Sequence, residues 1–350
     1  MMNYKFFTNS EKAWKSMFEA ISMAEKSIYL EMYIFESDMK EFNFFNLLKE
    51  KAKQGLRVKI IIDYFGSVGL KASSVLELQN AGVEILTLSY LFHRMHRKVL
   101  VVDEDIAYIG GVNMHQSARF WNDLMVRIKG ALVGKVVMSF AKSYKNAGGK
   151  DSELLVKNKK TSRIKVKTWI VEHSPVSKKF YFKKIYQKYL NEATDSITLI
   201  TPYFIPKRFV RAALHLAVLR EVNVEVLVPK KTDYFITDRV NYFYIYKLSR
   251  LGIKFYLEEK MNHAKAIIID KREAMVGSPN LDVFSFDYNS EVGIFFKDRE
   301  VVSKLCLITE QWKKDAILFD YKIYKPKWFD YILSPAINLL SFFYRKKKEG

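Results

Sequence analysis

Two eighteen-residue stretches repeat one pattern, His-x-Lys-x4-Asp-x6-Gly-x2-Asn, at residues 96–113 (HRKVLVVDEDIAYIGGVN) and 263–280 (HAKAIIIDKREAMVGSPN), 167 residues apart. Each copy offers an imidazole (His96, His263), a fixed cation (Lys98, Lys265), a carboxylate (Asp103, Asp270), a small-residue turn (Gly110 and Gly111, Gly277 and Ser278) and an amide (Asn113, Asn280). The set suits a phosphodiester. Two lysines and two asparagines can surround non-bridging oxygens, and the small turns let an anion approach the backbone. Histidines at opposite ends of the in-line axis can then exchange nucleophilic and acid–base roles. The ammonium groups supply the charge that a metal supplies elsewhere. No His-Glu-x-x-His, cysteine pair or EF-hand loop is present, so neither metal nor cofactor is expected.

Along an extended strand side chains alternate, so His96 and Lys98 share a face while residues 99–102 are buried. Asp103, carried with the catalytic residues of the motif, is an odd number of positions from His96, which aims it away and predicts that it fixes the strand end or pairs with a neighbouring cation; Asp270 has the same geometry. A nucleophilic imidazole also needs its far nitrogen held by an acceptor. Asp123, in FWNDLMVRIKG, and Glu291, in YNSEVGIFF, fall 27 and 28 residues after the two histidines and are expected to orient them. His93 and His115 are placed to line the entrance of the first motif, whereas His173 and His215 read as ordinary surface or helix residues.

The elements that must position these groups are duplicated too. An amphipathic helix (Ala13, Trp14, Met17, Phe18, Ile21, Ala24) leads to SIYLEMYIF, a second helix, VKIIID, AGVEIL and the first motif. A helix with Ile185, Tyr186, Tyr189, Leu190 and Ala193 leads to SITLITPYF, another helix, VEVLVP, LGIKFY and the second. Helical spacing alternating with short β-branched runs predicts layered α/β units. The divisions expected are a first repeat over residues 1–145, a linker over 146–170, a second repeat over 171–310 and a C-terminal segment over 311–350.

Fifty-eight Lys and Arg against 38 Asp and Glu leave a net charge of +20, which calls for an anionic partner, either nucleic acid or acidic lipid. The single cysteine, Cys306, excludes a disulfide framework and fits a cytoplasmic setting, and no signal peptide or spanning anchor is expected at the start. Residues 328–344, WFDYILSPAINLLSFFY, are apolar and aromatic but interrupted by Asp330 and Pro335, and Arg345, Lys346, Lys347 and Lys348 follow. Such a segment suits the headgroup layer better than a span, which predicts peripheral attachment to the cytoplasmic side of the membrane.

The paired motifs resemble the phospholipase D superfamily over about residues 5 to 310. WNDLMVRIKG and TPYFIP are similar to the bacterial cardiolipin synthases within it. The resemblance implies two α/β/α sandwich halves with mixed sheets and the active site at their pseudo-two-fold interface. It implies a phosphohistidine intermediate and transfer of a phosphatidyl group from one phosphatidylglycerol to another. His96 would then be the nucleophile and His263 the acid and base, with Lys98, Lys265, Asn113, Asn280, Gly111 and Ser278 around the phosphate. The partners expected are phosphatidylglycerol and a membrane surface, with no nucleic acid, and the internal repeat removes the need for a dimer. Hydrolysis by a phospholipase D and metal-independent nuclease action are the competing readings.

Overall fold

A computed structural model of the chain describes residues 3–88, 93–157, 167–175 and 180–332. The first half contributes β1 (Asn3–Asn9), β2 (Ser27–Met32), β3 (Arg57–Asp63), β4 (Glu84–Leu88), β5 (Arg94–Met95), β6 (Val99–Val102), β7 (Ile106–Gly110) and β8 (Asn122–Lys129). The second contributes β9 (Thr168–His173), β10 (Ser196–Ile200), β11 (Asn223–Pro229), β12 (Lys254–Glu258), β13 (Ala266–Ile269), β14 (Glu273–Gly277), β15 (Asn289–Phe296) and β16 (Ala316–Leu318). Strand order is β1-β8-β7-β6-β2-β3-β4 in one sheet and β16-β12-β11-β10-β13-β14-β15-β5 in the other, with β9 also on β15. In each half two parallel pairings (β2 with β3 and β3 with β4; β10 with β11 and β11 with β12) adjoin an antiparallel run through the motif strands. The fold is thus two repeated α/β/α halves with mixed sheets.

Helices α1 (Ser10–Ser22), α2 (Phe44–Lys53) and α3 (Ala72–Asn80) belong to the first half; α4 (Val133–Asn146) and α5 (Ser152–Lys157) follow its last strand. Helices α6 (Tyr181–Glu192), α7 (Arg208–Leu219), α8 (Phe235–Ser249), α9 (Val283–Asp287) and α10 (Arg299–Lys314) belong to the second. In α1 the buried Ala13, Trp14, Met17, Ala20 and Ile21 recur every three or four residues, and Asn9 caps the first turn by accepting from Lys12 N at 2.9 Å. Among the described residues the apolar interior forms three clusters. One lies under α1 and α2, one under α6, α7 and α8, and the third joins Val99, Val101 and Ile109 to Ile268, Val276 and Ile294 across the two sheets. That shared core fixes one half against the other, because close-packed side chains leave little room to slide.

The second half runs past residue 310, since α10 reaches Lys314 and β16 pairs with β12. The stretch expected to link the halves begins with the end of α4 and the short α5; Asp151, between them, pairs with Lys59 at 3.0 Å and ties that part to the first sheet. His173 corrects a reading made from sequence: it is fully buried on β9 against Phe182, not on a surface or a helix. Of the C-terminal segment expected to associate with the membrane, 311–350, residues 311–332 are described, the first of them completing α10 and β16; residues 333–350, including the four terminal cations, lie outside the described residues. Among the described residues no helix is long and apolar enough to cross a membrane.

Candidate active site

The two halves exchange backbone just ahead of each motif. β5 pairs with β15, so that His96 N donates to Ser290 O at 2.9 Å, while Asn122 of β8 bridges to Asn262 and His263 N donates to Asn122 O at 2.7 Å. Each histidine therefore leaves its own sheet and is pinned to a strand of the other repeat, His96 to β15 and His263 to β8. The carboxylates follow from the same crossing. His96 Nδ1 lies 3.0 Å from both oxygens of Glu291, and His263 Nδ1 lies 2.8 Å from Asp123 Oδ2. Because an ionised carboxylate only accepts, Nδ1 carries the ring proton and Nε2 keeps its lone pair.

Electrostatics keep that assignment. Burial drives His96 down to about 4 and His263 down to about 3, with the neighbouring lysines adding to the effect and the carboxylates opposing it. Glu291 and Asp123 are held below the ordinary carboxylate range: burial raises them, but the histidine partner, the nearby lysine charge and the hydrogen bonds each accepts outweigh it. At neutral pH the site accordingly holds neutral imidazoles backed by ionised carboxylates.

Lys98 and Lys265 are buried beside the histidines; Lys98 Nζ donates to His96 O at 2.8 Å, and Lys265 Nζ donates to His263 O. Burial lowers Lys98 well below its ordinary value and Lys265 to about 8, each also feeling Glu291 and Asp123. Asn113 is braced by Trp14, whose Nε1 donates to its carbonyl at 2.8 Å, and its Oδ1 accepts from Ile34 N at 3.3 Å, which leaves its NH2 for the cavity it lines. Asn280 lines the same cavity with a buried Oδ1 that meets no partner among the described residues.

Four expected site residues stand elsewhere. Asp103 and Asp270 are at the far ends of β6 and β13, in hairpin turns where both they and the next residue have positive φ. The Asp103 carboxylate accepts from the backbone of Glu25, Lys26 and Ser27 at 2.7–2.9 Å, and Asp270 does the same for Thr194, Asp195 and Ser196 at 2.8–3.1 Å. They lock the motif hairpin to the strand beside it and touch neither histidine. Gly111 and Ser278, expected around the phosphate, stand against the carboxylates. A Cβ on Gly111 would stand 2.2 Å from Asp123 Oδ1, and Ser278 Oγ donates to Glu291. Like Lys98 and Lys265, which lie behind the histidines, neither is among the residues that line the cavity.

That cavity is about 280 Å³ and draws Tyr33, Arg94, His96, Asn113, His115 and Trp121 from the first half and Tyr203, Asp233, His263, Asn280 and Asp282 from the second. Of the two extra histidines placed near the first motif, His115 lines it and His93 does not. Several lining residues escaped the reading of the motifs. Asp282, raised by burial to about 6, occupies the repeat position of His115, a match visible as the shared offset of 167 residues. Arg94 projects a guanidinium stacked 3.5 Å over Phe65, with Nη1 buried and unpartnered among the described residues; only the crossing of β5 reveals it. Tyr203 donates to Asp233 at 2.6 Å.

Two repeats that each lend a histidine to one cavity define a phospholipase D-like architecture. The family model described as "Cardiolipin synthase, PLD-like domain" matches residues 17–146 and 186–312, and the chain belongs to that family. It is 31% identical over 325 residues to the probable cardiolipin synthase YwiE of Bacillus subtilis, covering 87% of this chain and 64% of that protein. It is 32% identical over 317 residues to the cardiolipin synthase of Oceanobacillus iheyensis, covering 85% and 66%. The chain therefore spans a little under two thirds of the length of these relatives. Among solved structures the fold is similar to phosphatidylserine synthase of Haemophilus influenzae, with TM-score 0.75, 14% identity and coverage of 98% of this chain and 93% of that one.

Proposed function

We propose that the chain is a phosphatidyltransferase of the cardiolipin synthase type. It would move a phosphatidyl group from one phosphatidylglycerol to the glycerol headgroup of a second and release glycerol. One observation carries the reading: His96 and His263 line one cavity, and each has Nδ1 fixed by a carboxylate of the opposite half. In the first step His96 Nε2 attacks phosphorus, the bond to the glycerol oxygen breaks, and His263 protonates that oxygen. In the second, His263 takes the proton of the acceptor hydroxyl, its oxygen attacks, and the phosphorus–nitrogen bond breaks. The arriving phosphodiester anion would add to Asp123 in favouring a proton on His263, against the burial and the Lys265 and Lys98 charges that lower it. Lys98, Lys265, Asn113 and Asn280 would balance charge on the phosphoryl oxygens, Asp103 and Asp270 would hold the motif hairpins, and Asp123 and Glu291 would orient the imidazoles.

Attachment would be peripheral, on the cytoplasmic face of the membrane, and catalysis would need one chain. The test is product identity: purified protein and phosphatidylglycerol vesicles, with chelator present, are expected to yield a diphosphatidyl product and stoichiometric glycerol. Phosphatidic acid as the sole lipid product would replace transfer by hydrolysis.

A further inference from the structure

The cavity of about 280 Å³ falls below the roughly 300–1,000 Å³ of pockets that enclose a drug-sized molecule. A two-chain lipid is larger still. With both histidines nearly buried, a phosphodiester reaches them only if the acyl chains stay outside the mouth. What surrounds that mouth is exposed and apolar. Tyr234 and Phe284 line it, Phe235 and Ile236 extend from Tyr234 into α8 with 78% and 61% of their surface exposed, Phe65 lies beneath Arg94, and Phe120 adjoins Trp121. These residues come from four segments of both halves, a larger grouping than scattered surface apolar residues require.

A second observation points to the same face. Arg239, one helical turn beyond Phe235 on α8, donates through Nε and Nη2 to Asp330 at 3.0 and 2.5 Å, and Asp330 is completely buried. Phe329 lies 4.9 Å beneath the Arg239 guanidinium, and Tyr331 packs edge-on against Phe243 at 5.3 Å. The start of the C-terminal segment is thus clamped on the helix whose first turn forms part of the rim, with Trp328 and Ile332 exposed. The sequence that continues from it is apolar through residue 344 and then reads Arg-Lys-Lys-Lys.

We infer that the face bearing the cavity mouth, from the aromatic rim to the clamped root of the C-terminal segment on α8, is the surface that docks on an anionic lipid bilayer. It presents the histidines to headgroups in the membrane plane. The apolar rim enters between headgroups, and the excess of 20 positive charges draws the chain to the negative surface. The inference rests on the phosphatidyltransferase reading for its purpose, but docking is measured without turnover.

The full chain is sedimented with vesicles of phosphatidylglycerol and phosphatidylcholine, beside F235D/I236D and a control, L219D/L307D, that places the same charges on exposed leucines of α7 and α10. F235D/I236D is expected to lower the partition coefficient about 10- to 100-fold, to leave cleavage of the soluble diester bis(p-nitrophenyl) phosphate unchanged, and to exceed the control's effect. If no protein cleaves the soluble diester, the catalytic reading falls while the vesicle comparison still decides docking. Partition of F235D/I236D equal to the parent, or an equal loss in the control, would overturn the inference. So would a loss of soluble-diester cleavage that matches the loss of binding, or a vesicle-free oligomer that the rim variant dissolves, which would make the rim a contact between copies.

Discussion

The two half-sites share their plan and differ in how the carboxylate is supported. Glu291, which holds His96, accepts from Ser278 Oγ, from Ser285 Oγ at 2.8 Å and from Asn289 Nδ2 at 3.3 Å. Asp123, which holds His263, has besides the imidazole only the backbone of Leu124 at 2.7 Å among the described residues. A carboxylate whose charge is divided among several donors holds an imidazolium less firmly than one with fewer, so this difference by itself favours a proton on His263; burial and the Lys265 charge oppose it and leave His263 the lower of the two rings, about 3 against about 4 for His96. The lengths match their surroundings: the shorter Asp123 fills the space left by Gly111, and the longer Glu291 clears Ser278 and takes its hydroxyl.

Removing either imidazole breaks the comparison most severely. H96A and H263A are each expected to lower phosphatidyl transfer by about 10³-fold or more. A p-nitrophenyl diester separates them, because its leaving group departs without a proton: H263A should regain about tenfold or more of its loss, and H96A should regain nothing. Recovery by H96A instead would exchange the two roles. Next come the carboxylates. E291Q and D123N should each lower kcat about 10- to 100-fold with KM little changed, in steady-state assays on mixed micelles.

The small residues beside the carboxylates sharpen the comparison further. G111S forces a Cβ toward Asp123 Oδ1, so it should cost about 1–3 kcal/mol of stability and most of the activity. S278A removes one of several donors and should cost about 1 kcal/mol; chemical denaturation and transfer assays on the pair report both. The smallest effect is the pH slope. His96, His263, His115 and His173 are all lowered, to about 4 for three of them and about 3 for His263. The unfolded chain, with histidines near about 6.5, binds more protons between there and pH 4, so stability falls as pH drops through that window. H115N should flatten the slope in urea midpoints by at most about 1.4 kcal/mol per pH unit.

Much of this was legible in the residues. The duplicated spacing marks both motifs, and the odd step from His96 to Asp103 turns that carboxylate away from the ring, as the hairpin turns show. Asp123 and Glu291 stand out at nearly matched offsets after the histidines. For Gly111 and Ser278 spacing announces a tight approach without saying what approaches: the anion beside Gly111 in the fold is the protein's own Asp123 carboxylate. His173 was misread because a strand alternating beside aromatic residues is as buried as its sheet partners make it.

The sequence alone determined the chemistry available, since residue types and periods are local and the two repeats write them twice, once each. Only the tertiary structure decided the pairing, because a crossing of β5 onto β15 and of Asn262 onto Asn122 joins residues 140 to 195 positions apart. No local period records which strand end meets which across a shared core. That meeting sets Glu291 behind His96 and Asp123 behind His263, and brings Arg94 to the cavity.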